Sequence, residues 1–195
     1  VAALTDKEVL ELLVSTGAIL DGHFLLSSGK HAARYIQCAR LLQHPELAHR
    51  VCLTLAEKAG PFGCPDVVIG PALGGVLIAY ELARVLGVRG IFAERKEGMM
   101  TLRRGFQIEE GERVLLAEDV VTTGRSSLEV AQVVRTHGAE VVGIACIVDR
   151  RAKESVLPFP VVSTSRMQIP IYEPADCPLC RRGIPLVKPG SRSQR

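Results

Sequence analysis

A chain of 195 residues, 47% hydrophobic and with a formal net charge of +3, can bury one full core, but it is too mildly basic for charge alone to argue for nucleic acid. No apolar run reaches the ~20 residues of a membrane span and no basic-plus-apolar leader opens the chain, so a soluble, cytoplasmic protein is expected. Asn and Trp are absent and Arg outnumbers Lys, a bias that heat adaptation and a GC-rich genome both produce.

Thr5-x-x-Glu8 has the pattern of a capping box, with Leu4 and Val9 placed as a hydrophobic staple, and predicts a helix over about 5–16 that ends at Gly17. Ile19 to Leu26 alternates loosely, as an edge strand does. Pro45 suits the first turn of a second helix, with Leu47, Val51 and Leu55 on one face. From there the rhythm becomes strand–loop–helix. Val67-Val68-Ile69 predicts a short buried strand, 70–75 a loop, and Val76 to Leu86 a helix closed by Gly87. Gly90 to Ala93 and Val114 to Ala117 read as strands, Ser126 to His137 as a helix, Val141 to Val148 as an uninterrupted apolar strand, and 161–163 as a last strand. This alternation predicts an α/β architecture: a central, mostly parallel sheet with helices on both faces. Ligands of such sheets bind beyond the carboxyl ends of the strands, where the loops at 70–75, 94–105 and 118–126 should meet. No G-x-G-x-x-G opens a helix and no Walker loop is present, which argues against dinucleotide and P-loop chemistry. Residues 188–195, basic and rich in Ser, are expected to fray.

Of the six cysteines, Cys38, Cys52 and Cys146 lie in apolar segments and are expected in the core. Cys177-Pro-Leu-Cys180 has ligand spacing, but the sequence offers no second Cys pair beside it. A structural or inert role leads there, ahead of metal binding and redox chemistry.

The most informative stretch is Val114-Leu-Leu-Ala-Glu118-Asp119-Val-Val-Thr-Thr-Gly124-Arg125-Ser126-Ser127. Four apolar residues run into two adjacent carboxylates, and a small-residue loop leads into a helix. Carboxylates at a strand end accept hydrogen bonds from hydroxyls, and small residues let backbone N–H groups close on a phosphate. The loop therefore offers acceptors for a diol and donors for an anion, as a sugar phosphate requires. Gly70-Pro-Ala72-Leu73-Gly74-Gly75 also follows a buried strand and leaves backbone N–H groups open to an anion. The segment 94–105 holds four cations, Arg95, Lys96, Arg103 and Arg104, on a connection long enough to act as a lid, where they could stabilise charge developing on a leaving group.

The acidic stretch resembles the phosphoribosyl-diphosphate (PRPP) motif of the type I phosphoribosyltransferases, and the order of elements over about 20–150 resembles the orotate branch of that family. The resemblance implies the type I fold with a small base-binding hood over about 1–42 and a tail, about 174–195, of unassigned role. It implies that Glu118 and Asp119 hold the ribose hydroxyls. The loop Val120, Val121, Thr122, Thr123, Gly124, Arg125 and Ser126 would hold the 5-phosphate. Ala72, Leu73, Gly74 and Gly75, with Arg95, Lys96, Arg103 and Arg104, would hold diphosphate. Many members carry a Lys in the 70–75 loop where this chain has Gly74. Ser28, Gly29, Lys30, His31 and Tyr35, with Thr122 and Arg150, would hold orotate. Arg95, Lys96, Glu118 and Asp119 carry the catalytic expectation. Mg²⁺ is expected on PRPP, with no protein side chain as its ligand, and a homodimer is expected to share the lid between subunits. Members of this family convert orotate and PRPP to orotidine 5-monophosphate and diphosphate in pyrimidine synthesis. A purine phosphoribosyltransferase and a non-catalytic PRPP sensor remain the alternatives at this point.

Overall fold

The computed structural model describes residues 3–26, 28–152 and 154–189, so Ser27 and most of the basic tail expected to fray lie outside the described residues. The N-terminal cap forms as its sequence dictates. Helix α1 (Asp6–Ser15) starts at Thr5, whose Oγ1 accepts from the Glu8 N–H at 3.3 Å while Glu8 Oε2 accepts from the Thr5 N–H at 2.8 Å. Strands β1 (Ile19–Leu25) and β2 (His31–Ile36) form an antiparallel hairpin. The short α2 (Ala39–Leu42) leads into α3 (Pro45–Ala59), with Pro45 in its first turn.

Next come β3 (Val67–Pro71), α4 (Gly74–Leu86), β4 (Arg89–Lys96), β5 (Met99–Leu102), β6 (Arg113–Val121), α5 (Arg125–Thr136), β7 (Glu140–Asp149) and β8 (Val161–Arg166). The central sheet has the order β5-β4-β3-β6-β7-β8, and every pairing is parallel except β4 with β5. Its period of two sorts side chains into two cores. Val68, Leu115, Ala117, Ala145 and Ile147 pack with α1, α3 and α4, whereas Val67, Ile69, Val114, Leu116, Ile144 and Cys146 pack with α5. Both faces are therefore covered, and Cys38, Cys52 and Cys146 are core residues at 0% exposure. No helix among the described residues is long and apolar enough to cross a membrane.

Three findings differ from the sequence expectations. The 94–105 segment is an ordered hairpin rather than an open connection: β4 continues to Lys96 and pairs with β5 across Glu97-Gly98, whose φ values of 52° and 85° suit a two-residue turn. Strand β6 runs four residues past Ala117, so Glu118 and Asp119 sit inside the strand rather than after it, with Val120 and Val121 still paired to Val148 and Asp149 of β7. The tail also has a place in the fold. β9 (Ile171–Tyr172) adds to β2, making a three-stranded sheet β1-β2-β9, and a short α6 (Pro178–Arg181) follows.

Candidate active site

The carboxyl ends of β3 and β6 lie side by side in the sheet, and this adjacency brings the two small-residue loops together. After β3 the chain turns through Ala72–Leu73, a cis peptide, into the N-terminus of α4. After β6 it turns through Thr122–Gly124, with Gly124 at φ 75°, into α5. Between them lies a cleft of about 260 Å³ lined by Pro71, Ala72, Gly74 and residues 118–126. The first N–H groups of α5 have no intrahelical acceptor and border this cleft, a ready anion site.

The two acids form its other wall. Glu118 is 7% exposed, and its Oε1 accepts from Ser127 Oγ at 3.1 Å. Asp119 Oδ1 accepts from the Val120 N–H at 2.9 Å. Burial pushes both carboxyls upward: Glu118 to about 8, with the adjacent Asp119 charge adding to the rise and Ser127 opposing it, and Asp119 in the same direction against the lowering effect of backbone N–H groups. Carboxylates so poorly hydrated gain from any hydroxyl that enters and donates to them. Ser127 was not anticipated from the sequence; it lies one helical position beyond the loop, and only the fold turns it back on Glu118.

The Glu118 shift has a consequence for stability. The folded chain holds this proton up to about pH 8, whereas an unperturbed Glu releases it near 4.5. The stability that this group contributes is therefore complete below about pH 4.5 and is lost as the pH rises to about 8. Glu118→Gln should remove that loss. Urea unfolding at pH 5 and pH 8 should show the variant gaining on the wild type at the higher pH, and an advantage equal at both pH values would contradict the shift.

Gly74 faces Asp119 so closely that a Cβ there would fall 2.6 Å from Asp119 Oδ1. The Gly at this position is thus a matter of room for the carboxylate. Gly74→Ala should displace Asp119 and raise the PRPP concentration needed for half-maximal binding by roughly 10–100-fold, with little change in Tm. Calorimetric titration with PRPP checks this, and unaltered binding would mean that Asp119 tolerates the shift.

A second hollow, about 390 Å³, shares Thr122 and Thr123 with the cleft and is otherwise lined by residues that include Arg150, Arg151 and Ile169. The two adjacent arginines differ. Arg151 forks onto Asp149, donating from Nε at 3.0 Å and Nη2 at 2.9 Å. The Arg150 guanidinium makes no hydrogen bond or ion pair among the described residues, and its Nε is buried without a partner. Burial lowers its pKa, and Tyr35 is near enough to act on it.

The remaining expected residues are less gathered. Arg95 is ion-paired with Glu129 of α5, and Arg103 and Arg104 sit 3.5 and 3.0 Å from Glu94. Lys96 is exposed and has no side-chain partner among the described residues. None of these four cations lines the cleft in this conformation. Arg125 borders it but turns its Nε to Glu129 at 2.9 Å. Gly29 forms a turn at φ 81°, Ser28 is exposed, and Lys30 is paired with Glu173 at 2.6 Å. His31, expected at the base, is 5% exposed and turns its Nδ1 to His23 and Cys180 instead; pairing of β1 with β2 puts both histidines on one face of the hairpin.

Comparison with known proteins gives the family. The family described as the phosphoribosyl transferase domain matches residues 38–179. The chain is 53% identical over 185 residues to an orotate phosphoribosyltransferase of Caldicellulosiruptor bescii, covering 95% of this chain and 97% of the relative. It is 54% identical over 189 residues to one of Caldicellulosiruptor saccharolyticus, covering 97% and 98%. The crystal structure of orotate phosphoribosyltransferase from Aeropyrum pernix superposes with a TM-score of 0.68 at 28% identity, covering 82% of this chain and 93% of that one.

Proposed function

The chain belongs to the phosphoribosyl transferase family, and from that premise we propose the reaction: transfer of the phosphoribosyl group of PRPP to orotate, giving orotidine 5-monophosphate and diphosphate, a step of pyrimidine biosynthesis. The observation that carries orotate as the acceptor is Arg150. A half-buried guanidinium with its Nε buried and no partner among the described residues, beside Tyr35 and joined through Thr122 to the acid-lined cleft, suits a flat anion. The test is turnover against a panel of bases. Loss of orotate ultraviolet absorbance on adding PRPP and Mg²⁺, with no diphosphate released with adenine or hypoxanthine, is the expected outcome. Release with a purine alone would overturn the assignment.

In this reading Glu118 and Asp119 accept hydrogen bonds from the ribose hydroxyls, and the amides from Thr122 to Ser126 hold the 5-phosphate; Val120 and Val121, expected there from the resemblance, stay paired in β6, with the Val120 N–H committed to Asp119. The orotate ring nitrogen attacks the anomeric carbon as the carbon–oxygen bond to diphosphate breaks. The sugar passes through a cationic state that the Asp119 carboxylate stabilises, with Glu118 beside it holding the ribose. No protein nucleophile is needed, and positioning and electrostatics supply the rate. Tyr35 stacks on the pyrimidine, and Gly29 with Ser28 bounds it.

The diphosphate end depends on Ala72 to Gly75. No lysine lines the cleft, and Arg125 is turned to Glu129, so charge on the leaving group must be met from elsewhere. Mg²⁺ fits this need: entering with the diphosphate rather than on a protein side chain, it would supply the positive charge that this end of the cleft lacks. Arg95, Lys96, Arg103 and Arg104 would add to it once the hairpin swings from Glu129 and Glu94.

A homodimer that shares the hairpin is supported by exposed apolar residues at the start of α4: Leu73, its N-cap within the diphosphate loop, and Leu77 and Tyr80 on the helix are 88%, 52% and 66% exposed. Mixing an Arg95→Ala/Lys96→Ala chain with an Asp119→Ala chain should then restore up to about a quarter of wild-type activity, because some mixed dimers hold one intact site. Confirmed mixed dimers without activity would argue against sharing. Water-soluble anionic substrates and a mild net charge suit a cytoplasmic enzyme with no nucleic-acid or membrane partner.

A further inference from the structure

The sequence offers Cys177-Pro-Leu-Cys180 without a second Cys pair, but the fold supplies two histidines. His31 faces Leu25 across the β1–β2 hairpin, and His23, two residues before Leu25, falls on the same face. Cys177 caps α6 and Cys180 lies on its one turn, so both sulfurs point one way. The four ligand atoms lie within 4.8 Å of one another. His23 Nε2 is 3.0 Å from His31 Nδ1, 3.5 Å from Cys177 Sγ and 3.7 Å from Cys180 Sγ, and His31 Nδ1 is 3.3 Å from Cys180 Sγ. A tetrahedral zinc with ordinary bond lengths would hold two nitrogens about 3.3 Å apart and a nitrogen and a sulfur about 3.6 Å apart. These four of its six edges match that tetrahedron within a few tenths of an ångström.

We propose that His23, His31, Cys177 and Cys180 form a structural zinc site that fastens the C-terminal tail to the N-terminal hood. The ligand set is two thiols and two imidazoles, which selects zinc over hard cations, and four protein ligands leave no open position for chemistry. The backbone also orients one imidazole from behind. His23 Nδ1 lies 2.7 Å from the Ile184 carbonyl oxygen, which accepts the N–H of that nitrogen and leaves the Nε2 lone pair aimed at the cluster. His23, His31 and Cys177 are 2%, 5% and 0% exposed, and the exposed Cys180 closes the outer side of the cluster.

The site sits where the chain needs a clamp. The tail meets the hood through β9 on β2, through Leu25 N–H to Val187 O and Val187 N–H to His23 O at 2.8 Å each, and through Lys30 with Glu173. The same hairpin carries Tyr35 and ends beside Ser28 to Lys30. Zinc would thus stiffen the wall that receives the base, an extension that rests on the orotate reading, whereas the metal site itself does not.

The test is the metal content of the full chain, made without a polyhistidine tag and kept reduced. About one zinc per chain is expected, falling below about 0.1 in Cys180→Ala and retained in Cys180→His, which preserves a ligand. Cobalt exchanged into the wild type should give the intense visible bands and thiolate charge-transfer absorption of a tetrahedral sulfur–nitrogen site, weakened in Cys177→Ser. Stripping zinc with a chelator should lower Tm and raise KM for orotate more than KM for PRPP. Zinc lost with a lower Tm but unchanged orotate KM would retain the site and overturn the extension to the base. A folded wild type that takes up no zinc or cobalt, or a Cys177–Cys180 disulfide that persists in the presence of reductant, would overturn the site.

Discussion

Asp119→Asn is expected to lower kcat/KM for PRPP by roughly 10²–10³-fold while leaving the free protein as stable as the wild type or more so. The two halves of that result come from one fact. Asp119 lies in a wall of the cleft where burial pushes its carboxyl upward, so the folded protein bears a cost for keeping it charged. Asn keeps the shape and the acceptor for Val120 N–H, and relieves that cost. What it cannot do is offset the positive charge of the ribose ring as diphosphate departs. An interaction made only in the transition state, once removed, lowers kcat and kcat/KM together. Single-turnover kinetics with saturating orotate, beside a thermal melt, measure both. A variant that loses activity only because it melts lower would refute the electrostatic role.

Arg150→Met should behave in a parallel way at the other end of the site. The guanidinium makes no bond among the described residues and its Nε is buried, so the free protein holds an uncompensated cation. Met fills the space without that charge, and Tm should rise by a few degrees. Orotate then loses the partner for its anionic group. Truncating one side of a buried charged pair costs about 2–5 kcal/mol, so kcat/KM for orotate should fall by about 30-fold or more, with PRPP binding nearly unchanged. Arg151→Met should do the opposite, because Arg151 is committed to Asp149: a lower Tm and a smaller effect on orotate. If the two variants exchanged these phenotypes, the base hollow would have been assigned to the wrong arginine.

The contrast between these neighbours marks what the sequence could convey. Runs such as Val114 to Ala117 and Val141 to Val148, punctuated by Gly and caps, identify their strands because burial on both faces demands continuous apolar residues. The acid pair and its small-residue loop are legible because all their parts are local: strand end, acceptors, turn and helix start fall within a dozen residues. Contacts that depend on the path of the chain are not. Gly74 against Asp119 and Arg95 with Glu129 each join groups whose meeting is decided by strand order. The hairpin at 94–105 was obscured by its charge, since Arg and Lys on an exposed ribbon do not alternate with apolar residues. The Cys and His groups are the extreme case: they are separated by some 150 residues and meet only because β9 returns to β2.

A crystal soaked with PRPP and Mg²⁺ tests the central claim most directly, since it shows where the sugar lies. The ribose 2- and 3-hydroxyls should sit within hydrogen-bonding distance of Glu118 and Asp119, with the 5-phosphate on the amides from Thr122 to Ser126 and the diphosphate over Ala72 to Gly75. A donor bound elsewhere, or a cleft that stays empty at saturating PRPP with both acids turned to solvent, would contradict it.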